Sequence, residues 1–411
     1  MKGLPSHRPS LRSGRVPGGR PFQRIPTQRR PPRRVWVWTA ATLVVAAVAV
    51  LLWRTSDVVA TSRTTAPPAT VPDEAPAAEL SRVWTAATAD GPRRAVEGGR
   101  VLVTDEHGVA MLDAVTGEEA WYYRRSNATL CDATAVNGTV IAAFRTTSRC
   151  NELTALAAST GERDWYRNVR FRTDVDLAST DQILLASSPT GVVTIDPAGN
   201  NTRWRYAPPA GCRLVGSDVG SSGVVVLQRC PDAGALQVKL LDGFGGTEIW
   251  TRDVDTGAST ARLAGVDWLV TVVVDDRVLV FDPVDGTPLP DLSLPPLPAG
   301  GDPQTEPLQQ AGVDDVALFW ARGTAYALDP TTGLPLWQVP ARGLPTAGTT
   351  DEAGVPTVTV PEDGAFVRRT LAEGTEVARS TTGDDVPLGG RTSLLGPVVV
   401  YGTTDEVLGS R

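Results

Sequence analysis

Two segments, MLDAVTGEEAW (111–121) and ALDPTTGLPLW (327–337), share one frame: an Asp, a Gly four residues on, and a Trp four residues after the Gly. A turn-opening Asp accepts from backbone N–H groups two residues on, and Gly supplies a positive φ. The frame therefore reads as a tight turn between two strands, the second carrying an indole. Upstream of each Asp lies a short apolar run, as in RVLV (100–103) and TAYA (324–327). Related copies are ELTALAASTGERDW (152–165), ILLASSPTGVVTIDPAGNNTRW (183–204) and VKLLDGFGGTEIW (238–250). RVLVFDPVDGTPLP (277–290) places Pro290 in the Trp slot, and FVRRTLAEGTEVA (366–378) places Ala378 there. The slots recur every 39 to 47 residues.

Apolar runs of four to six residues, bounded by turn signals, indicate short antiparallel strands. A period of 40 to 50 residues with about four strands per unit predicts an all-β, eight-bladed β-propeller, with seven blades the runner-up because the 366–378 copy is degenerate. After that copy the chain holds only RTSLLGPVVVYGTTDEVLGSR (391–411), which lacks a Trp segment, while LSRVWTAAT (80–88) is an orphan strand ahead of the first copy. The orphan is expected to complete the last blade and close the ring without an open edge. Trp84, Trp121, Trp165, Trp204, Trp250 and Trp337 are then structural plugs between neighbouring blades.

The recurring A/L-x-D-x-x-T-G-x-x-x-W motif resembles the tryptophan-docking repeat of the PQQ-like quinoprotein β-propeller superfamily over about residues 80–411. That superfamily holds both pyrroloquinoline quinone dehydrogenases and non-catalytic members such as the outer-membrane assembly lipoprotein B. The resemblance implies the eight-bladed ring. Quinone enzymes of this kind carry an adjacent Cys-Cys disulfide, central calcium ligands and longer chains, and this sequence departs from all three. No cofactor or metal site is expected.

The first 53 residues carry ten basic and no acidic residues, so the net charge of -7 divides into a basic head and a strongly acidic body. An acidic body argues against nucleic acid as a partner. Residues 1–34 read as a mobile basic tail, and 35–53, VWVWTAATLVVAAVAVLLW, as an uncharged transmembrane helix with Trp36, Trp38 and Trp53 at its ends. The Arg-rich flank places the N-terminus in the cytoplasm of a single-pass plasma-membrane protein. Residues 54–79, rich in Ala, Pro and Thr, read as a semi-extended stalk, and 80–411 as the extracytoplasmic propeller.

Four cysteines in an exported segment suggest two disulfides, for which three pairings exist. Local pairing, Cys131 with Cys150 and Cys212 with Cys230, is expected because each pair flanks one hairpin. Reflection through the turn brings Cys212 opposite residue 231, whereas Cys131 falls opposite residue 144, so an irregular segment must return Cys150. His107 is the only histidine beyond the head and sits in a turn, which leaves no Ser-His-Asp arrangement to build. Paired carboxylates at 275–276, 314–315 and 384–385 read as solvated loops, and 288–310, PLPDLSLPPLPAGGDPQTEPLQQ, as a proline-rich spacer or docking arm. The functional expectation is a non-enzymatic scaffold or sensor in a bacterial envelope, binding a protein partner or small ligand on a propeller face. The alternative is a PQQ-dependent dehydrogenase.

Overall fold

The computed structural model describes residues 33–411 apart from 55, 90, 92, 147, 172–173, 232–234, 258, 298–299, 347–348 and 351–353. The basic tail expected over 1–34 thus lies outside the described residues except for Arg33 and Arg34. The chain forms two compact units, Met1–Thr55 and Ser56–Arg411. In the first, a 22-residue helix, Arg33–Arg54, is long and apolar enough to cross a membrane. At 1.5 Å per residue it extends ~33 Å.

The second unit consists of eight sheets, each built on antiparallel strands and two of them with an added parallel strand, that follow one another in chain order. Their inner strands lie side by side around a common axis. Blade 4 shows the plan: Arg213–Gly220, Gly223–Arg229, Leu236–Leu241 and Glu248–Val254 pair in sequence from the axis outward. Alternation of direction puts the turn between the first and second strands, and the Asp-led turn between the third and fourth, at the same end of the ring. Second and third strands such as Val270–Val274 and Gly191–Ile195 are buried on both faces, which explains their unbroken Val/Ile/Leu character. Apolar clusters span neighbouring blades, for example Trp84, Val101 and Val103 with Val398 and Val400. The core is therefore a set of radial seams.

The degenerate seventh copy still folds as a blade, with strands Pro356–Glu362, Ala365–Thr370 and Glu376–Thr382. The eighth holds Gly390–Leu395, Val398–Gly402 and Glu406–Ser410, and its outer strand is Arg82–Ala87, paired antiparallel with Glu406–Ser410. The orphan N-terminal strand closes the ring.

Six of the eight seams repeat one contact. The Trp84 Nε1–H donates to Ala114 O (2.9 Å), Trp121 to Ala158 O (2.9 Å), Trp165 to Pro197 O (2.9 Å), Trp204 to Gly243 O (3.0 Å), Trp250 to Pro283 O (3.0 Å) and Trp337 to Leu371 O (2.8 Å). Every acceptor lies three residues before the left-handed residue of the next blade's turn. That residue is Gly117 (φ 72°), Gly161, Gly246, Gly286 or Gly374, and in blade 3 it is Asn200 (φ 54°). A Cβ on Gly117 would stand 2.4 Å from Trp84 Cγ, so glycine is required there both for its backbone and for the ring lying on it. A bulge one step before the turn, as between Met111 and Leu112, Leu240 and Leu241, or Ala327 and Leu328, aims the indole.

Three expectations need correction. Pro290 does not fill the Trp slot of blade 5. There the bulge moves to between Val278 and Val280, so Leu289 turns toward the next blade and lies 2.9 Å from the Cβ position of Gly333. Pro288–Ser293, part of the segment thought too proline-rich for a strand, is the outer strand of that blade. An outermost strand loses no ladder bond to a missing N–H on its free side. Lastly, the segment expected as a stalk lies against the propeller. Thr61–Arg63 adds antiparallel to the outer edge of blade 1, and Glu79–Leu80 adds parallel to the outer edge of blade 7.

The two disulfides join Cys131 to Cys150 (Cα–Cα 6.0 Å) and Cys212 to Cys230 (4.1 Å). The return of Cys150 is achieved by two irregularities, between Leu130 and Asp132 and between Cys150 and Glu152.

Trp84→Ala is expected to destabilise the protein by about 3–5 kcal/mol in equilibrium urea unfolding. Val83→Ala, at an exposed neighbour on the same strand, should cost under about 1 kcal/mol. Equal losses would refute the closing role of the indole.

Candidate functional site

The inner strands bring a ring of charged side chains to the axis. Asp132 comes from Thr129–Val136 of blade 2, Asp176 opens the inner strand of blade 3, and Asp218 lies in that of blade 4. Asp267 follows Ala261–Gly265 of blade 5, and Arg391 lies in Gly390–Leu395 of blade 8. Arg93 and Arg94 immediately precede Val96–Glu97 of blade 1. Carboxylates thus line one arc and guanidinium groups the other.

The two arcs meet across the lumen. Arg93 Nη1 donates to Asp218 Oδ1 (2.9 Å), three blades around the ring, and Arg94 Nη1 donates to Asp181 Oδ1 of blade 3 (2.7 Å). The Arg93 side chain retains 62% of its accessibility against 14% for Asp218, so the pair spans a lumen that water reaches. Asp218 raises the Arg93 pKa, while burial and then the like charge of Arg93 push Arg391 down to about 10. Burial drives Asp132 up to about 6, against the opposing effect of N–H donation from Leu177 (2.6 Å) and Ala133 (2.7 Å). Asp267 is also raised by burial, although Ser221 N–H donates to it (2.8 Å). Glutamines tie the wall together: Gln310 Nε2 donates to Asp267 O and Leu269 O, and Gln309 Nε2 to Gly389 O.

At the end of the ring carrying the inner turns stands Trp268, an exposed indole whose backbone is left-handed (φ 62°). Such a conformation is strained for a bulky residue. Three contacts impose it. Trp268 N–H donates to Ser221 Oγ (2.9 Å), Asp267 holds the Ser221 backbone, and the indole lies over Gly312, whose Cβ position is 3.1 Å from Trp268 Cδ1. Phe244 and Val284, on the Asp-led turns of blades 4 and 5, are exposed at the same end.

The residues singled out in the sequence are not brought together. His107 stands 2.8 Å from Ala128 O through Nδ1, in a turn of blade 1. Asp276 pairs with Arg322, which is also held by the buried Glu306. The cysteines are sequestered in two separate blades. Among the described residues, no group of three His, Cys, Asp or Glu side chains is placed to hold a metal ion. Arg93 and Arg94 cross the lumen at the axis to reach Asp218 and Asp181. Sequence reasoning missed Trp268 and the lumen arginines. The signal for Trp268 was available: of eleven tryptophans, only Trp268 and Trp320 fall outside both the apolar helix and the repeat slots, and Trp320 is fully buried.

The eight-bladed ring closed by its own N-terminal strand and locked by indoles on left-handed turn residues is similar in architecture to the PQQ-like β-propellers. The family model described as outer membrane protein assembly factor BamB matches residues 72–214. Similar solved structures include BamB from Moraxella catarrhalis, at 16% identity over 81% of this chain and 99% of that one, with a TM-score of 0.45. The computationally designed Ika8 protein aligns at 14% identity over 81% and 99%, with a TM-score of 0.53. Quinohemoprotein alcohol dehydrogenase from Comamonas testosteroni aligns at 12% identity over 81% and 76%, with a TM-score of 0.48. The likeness to Ika8 bears on the fold alone, and the other two, with lower scores, add no argument to it. No curated protein sequence matches the chain at a significant level.

Asp132 supplies a pH test. Its folded pKa lies above the ordinary value, so between about pH 4 and 6 the folded state binds more protons than the unfolded one, and stability falls as pH rises through that window. Relative to wild type, Asp132→Asn should therefore gain about 1–2 kcal/mol between pH 4 and 7 in chemical denaturation, less than full linkage because lumen water screens the carboxylate. A wild-type-to-variant difference that does not change with pH would contradict the burial of Asp132.

Proposed function

We propose that this chain is a single-pass envelope protein with a cytoplasmic basic tail (1–34), a membrane span (35–53) and an extracytoplasmic propeller that serves as a non-catalytic docking scaffold for a protein partner. The apolar Arg33–Arg54 helix and the arginine flank before it support the membrane topology. The two disulfides support exposure to an oxidising compartment.

The observation that carries the docking role is Trp268. A left-handed backbone that glycine would adopt at lower cost carries instead an indole that remains 38% exposed. Surrounding polar groups fix it all the same. Exposed aromatic anchors of restricted freedom are the side chains that dominate protein–protein binding once a partner excludes water around them. Phe244, beneath the Arg203 guanidinium at 4.8 Å, and Val284 are further exposed apolar side chains at this end, on the turns of blades 4 and 5, and the lumen charges would fix orientation.

Affinity purification of the full chain from its native membranes, in wild-type and Trp268→Ala forms, tests the reading. A stoichiometric partner present with wild type and reduced at least tenfold with the variant is the expected result. Identical recovery from both forms would remove this face as the docking site. Stoichiometric binding of added quinone with dye reduction would instead favour an oxidoreductase.

A further inference from the structure

A cleft of about 550 Å³ separates the outer strands of blades 2 and 3, Arg163–Asn168 and Thr202–Tyr206, and is lined by Tyr166, Arg167, Asn168, Arg170, Asn200 and Arg205. Three guanidinium groups, two amides and a phenol line it, the phenol bonded to Glu152, and among the described residues no carboxylate lines it. This is unusual in a body where acidic residues exceed basic ones. In the neighbouring cleft between blades 1 and 2, Arg63 and Arg163 are accompanied by Glu162. Among the described residues, Arg167, Arg170 and Arg205 form no ion pair.

Each arginine is held differently. Arg167 donates through Nε to Asn200 Oδ1 (2.6 Å) and through its other nitrogens to Thr202 Oγ1 and Asn200 O. Arg252 makes the corresponding backbone contacts on blade 5, so this part of Arg167 belongs to the scaffold. Arg205 spends one N–H on Val169 O (3.0 Å). Arg170 has a left-handed backbone (φ 60°) with its N–H donated to Asn168 Oδ1 (2.8 Å), and its guanidinium meets no protein partner among the described residues. The charges crowd one another: burial, then Arg167 and Arg170, lower the Arg205 pKa. Assembling like charges without a counter-ion costs free energy that a bound anion would recover, and the planar fork of arginine matches an oxyanion two bonds at a time.

We infer that this cleft is an oxyanion-binding site for a phosphate group, with Arg170 and Arg205 as its principal ligands and the Asn168 and Asn200 amides as supplementary donors. The phosphate could arrive free or as the phosphodiester of a lipid headgroup, and the probes separate these sources. Full-length protein in non-ionic detergent would be titrated calorimetrically at low ionic strength with inorganic phosphate and, separately, with glycerophosphoglycerol, the deacylated headgroup of phosphatidylglycerol. Saturable one-site binding of either probe is expected, the tighter one naming the source. Binding should weaken at least tenfold in Arg170→Gln and in Arg205→Gln, and remain unchanged in Arg277→Gln, an exposed arginine of blade 5 paired with Asp291. Should Arg205→Gln unfold, Arg170→Gln still decides, since that guanidinium holds nothing in place. Absence of saturable binding for both probes, or undiminished binding by a folded Arg170→Gln protein, would overturn the assignment.

Discussion

The ring depends on one contact, an indole laid on a left-handed turn residue that, except for Asn200 in blade 3, has no room for a side chain. Two requirements coincide at that residue. The turn needs positive φ, and the incoming ring occupies the space of a Cβ. The Asp that opens the turn keeps its geometry fixed: Asp113 accepts from Val115 and Thr116 N–H at 3.0 Å, and Gly117 N–H returns to Asp113 O at 2.9 Å. Because the same turn also offers the carbonyl that receives the indole N–H, polarity and packing are satisfied in one place. The buried N–H therefore carries no desolvation penalty. Where the indole is missing the seam uses other means. Between blades 7 and 8, Phe366 and Tyr401 pack at 5.9 Å, and the Tyr401 hydroxyl accepts from Gly390 N–H (2.8 Å) beside the Pro387 and Arg342 carbonyls.

That radial construction determines where chemistry can sit. Second and third strands are consumed by the seams, so side chains free to meet a ligand remain on the inner strands, at the turns and on the outer rim. The inner strands converge polar residues from all but one blade on a single lumen, and Arg93 and Arg94 then link blade 1 to blades 4 and 3. Such pairs contribute little as isolated surface contacts. Their consequence is geometric, since they divide the lumen and hold distant blades in register. Among the described residues, the rim by contrast keeps charges such as Arg170 and Arg205 without counter-ions.

How much of this was legible follows from the sequence separation of each contact. The Asp–Gly–Trp frame lies within one hairpin, so its spacing survives in the sequence and points to eight blades, with seven the runner-up, and to ring closure by Trp84, while the local cysteine pairs follow from each pair flanking one hairpin. Arg93 and Asp218 are 125 residues apart and share no pattern, because nothing local requires them to be charged. Spacing puts Pro290 where the structure uses Leu289, because the bulge is displaced, a backbone event that residue spacing does not record. Asn200 in the glycine slot was overlooked because asparagine is the other residue that tolerates the left-handed region. Arg170 was hidden for a related reason: its left-handed conformation is set by Asn168 and the strand end, not by a recognisable turn motif.

The segment 57–87 shows how composition and structure diverge when an open strand edge is available. Its Ala, Pro and Thr content gives it no core-forming stripe, which suggested a free spacer. Outer strands of propeller blades, however, leave unpaired N–H and C=O groups that short extended pieces can satisfy. Thr61–Arg63 takes one such edge, Glu79–Leu80 a second, and Arg82–Ala87 completes a third blade. At its start, Asp57 reaches the buried Arg125 (2.9 Å), whose other nitrogen bonds Glu152 (2.9 Å). Arg100 receives the segment again through Pro67 O (2.8 Å). These contacts fall on blades 1, 7 and 8, which flank the joint where the two ends of the chain meet. A ring closed only by Arg82–Ala87 would open if that strand were pulled away. The same segment also occupies the edges of blades 1 and 7, so its pairing begins ahead of the closing strand.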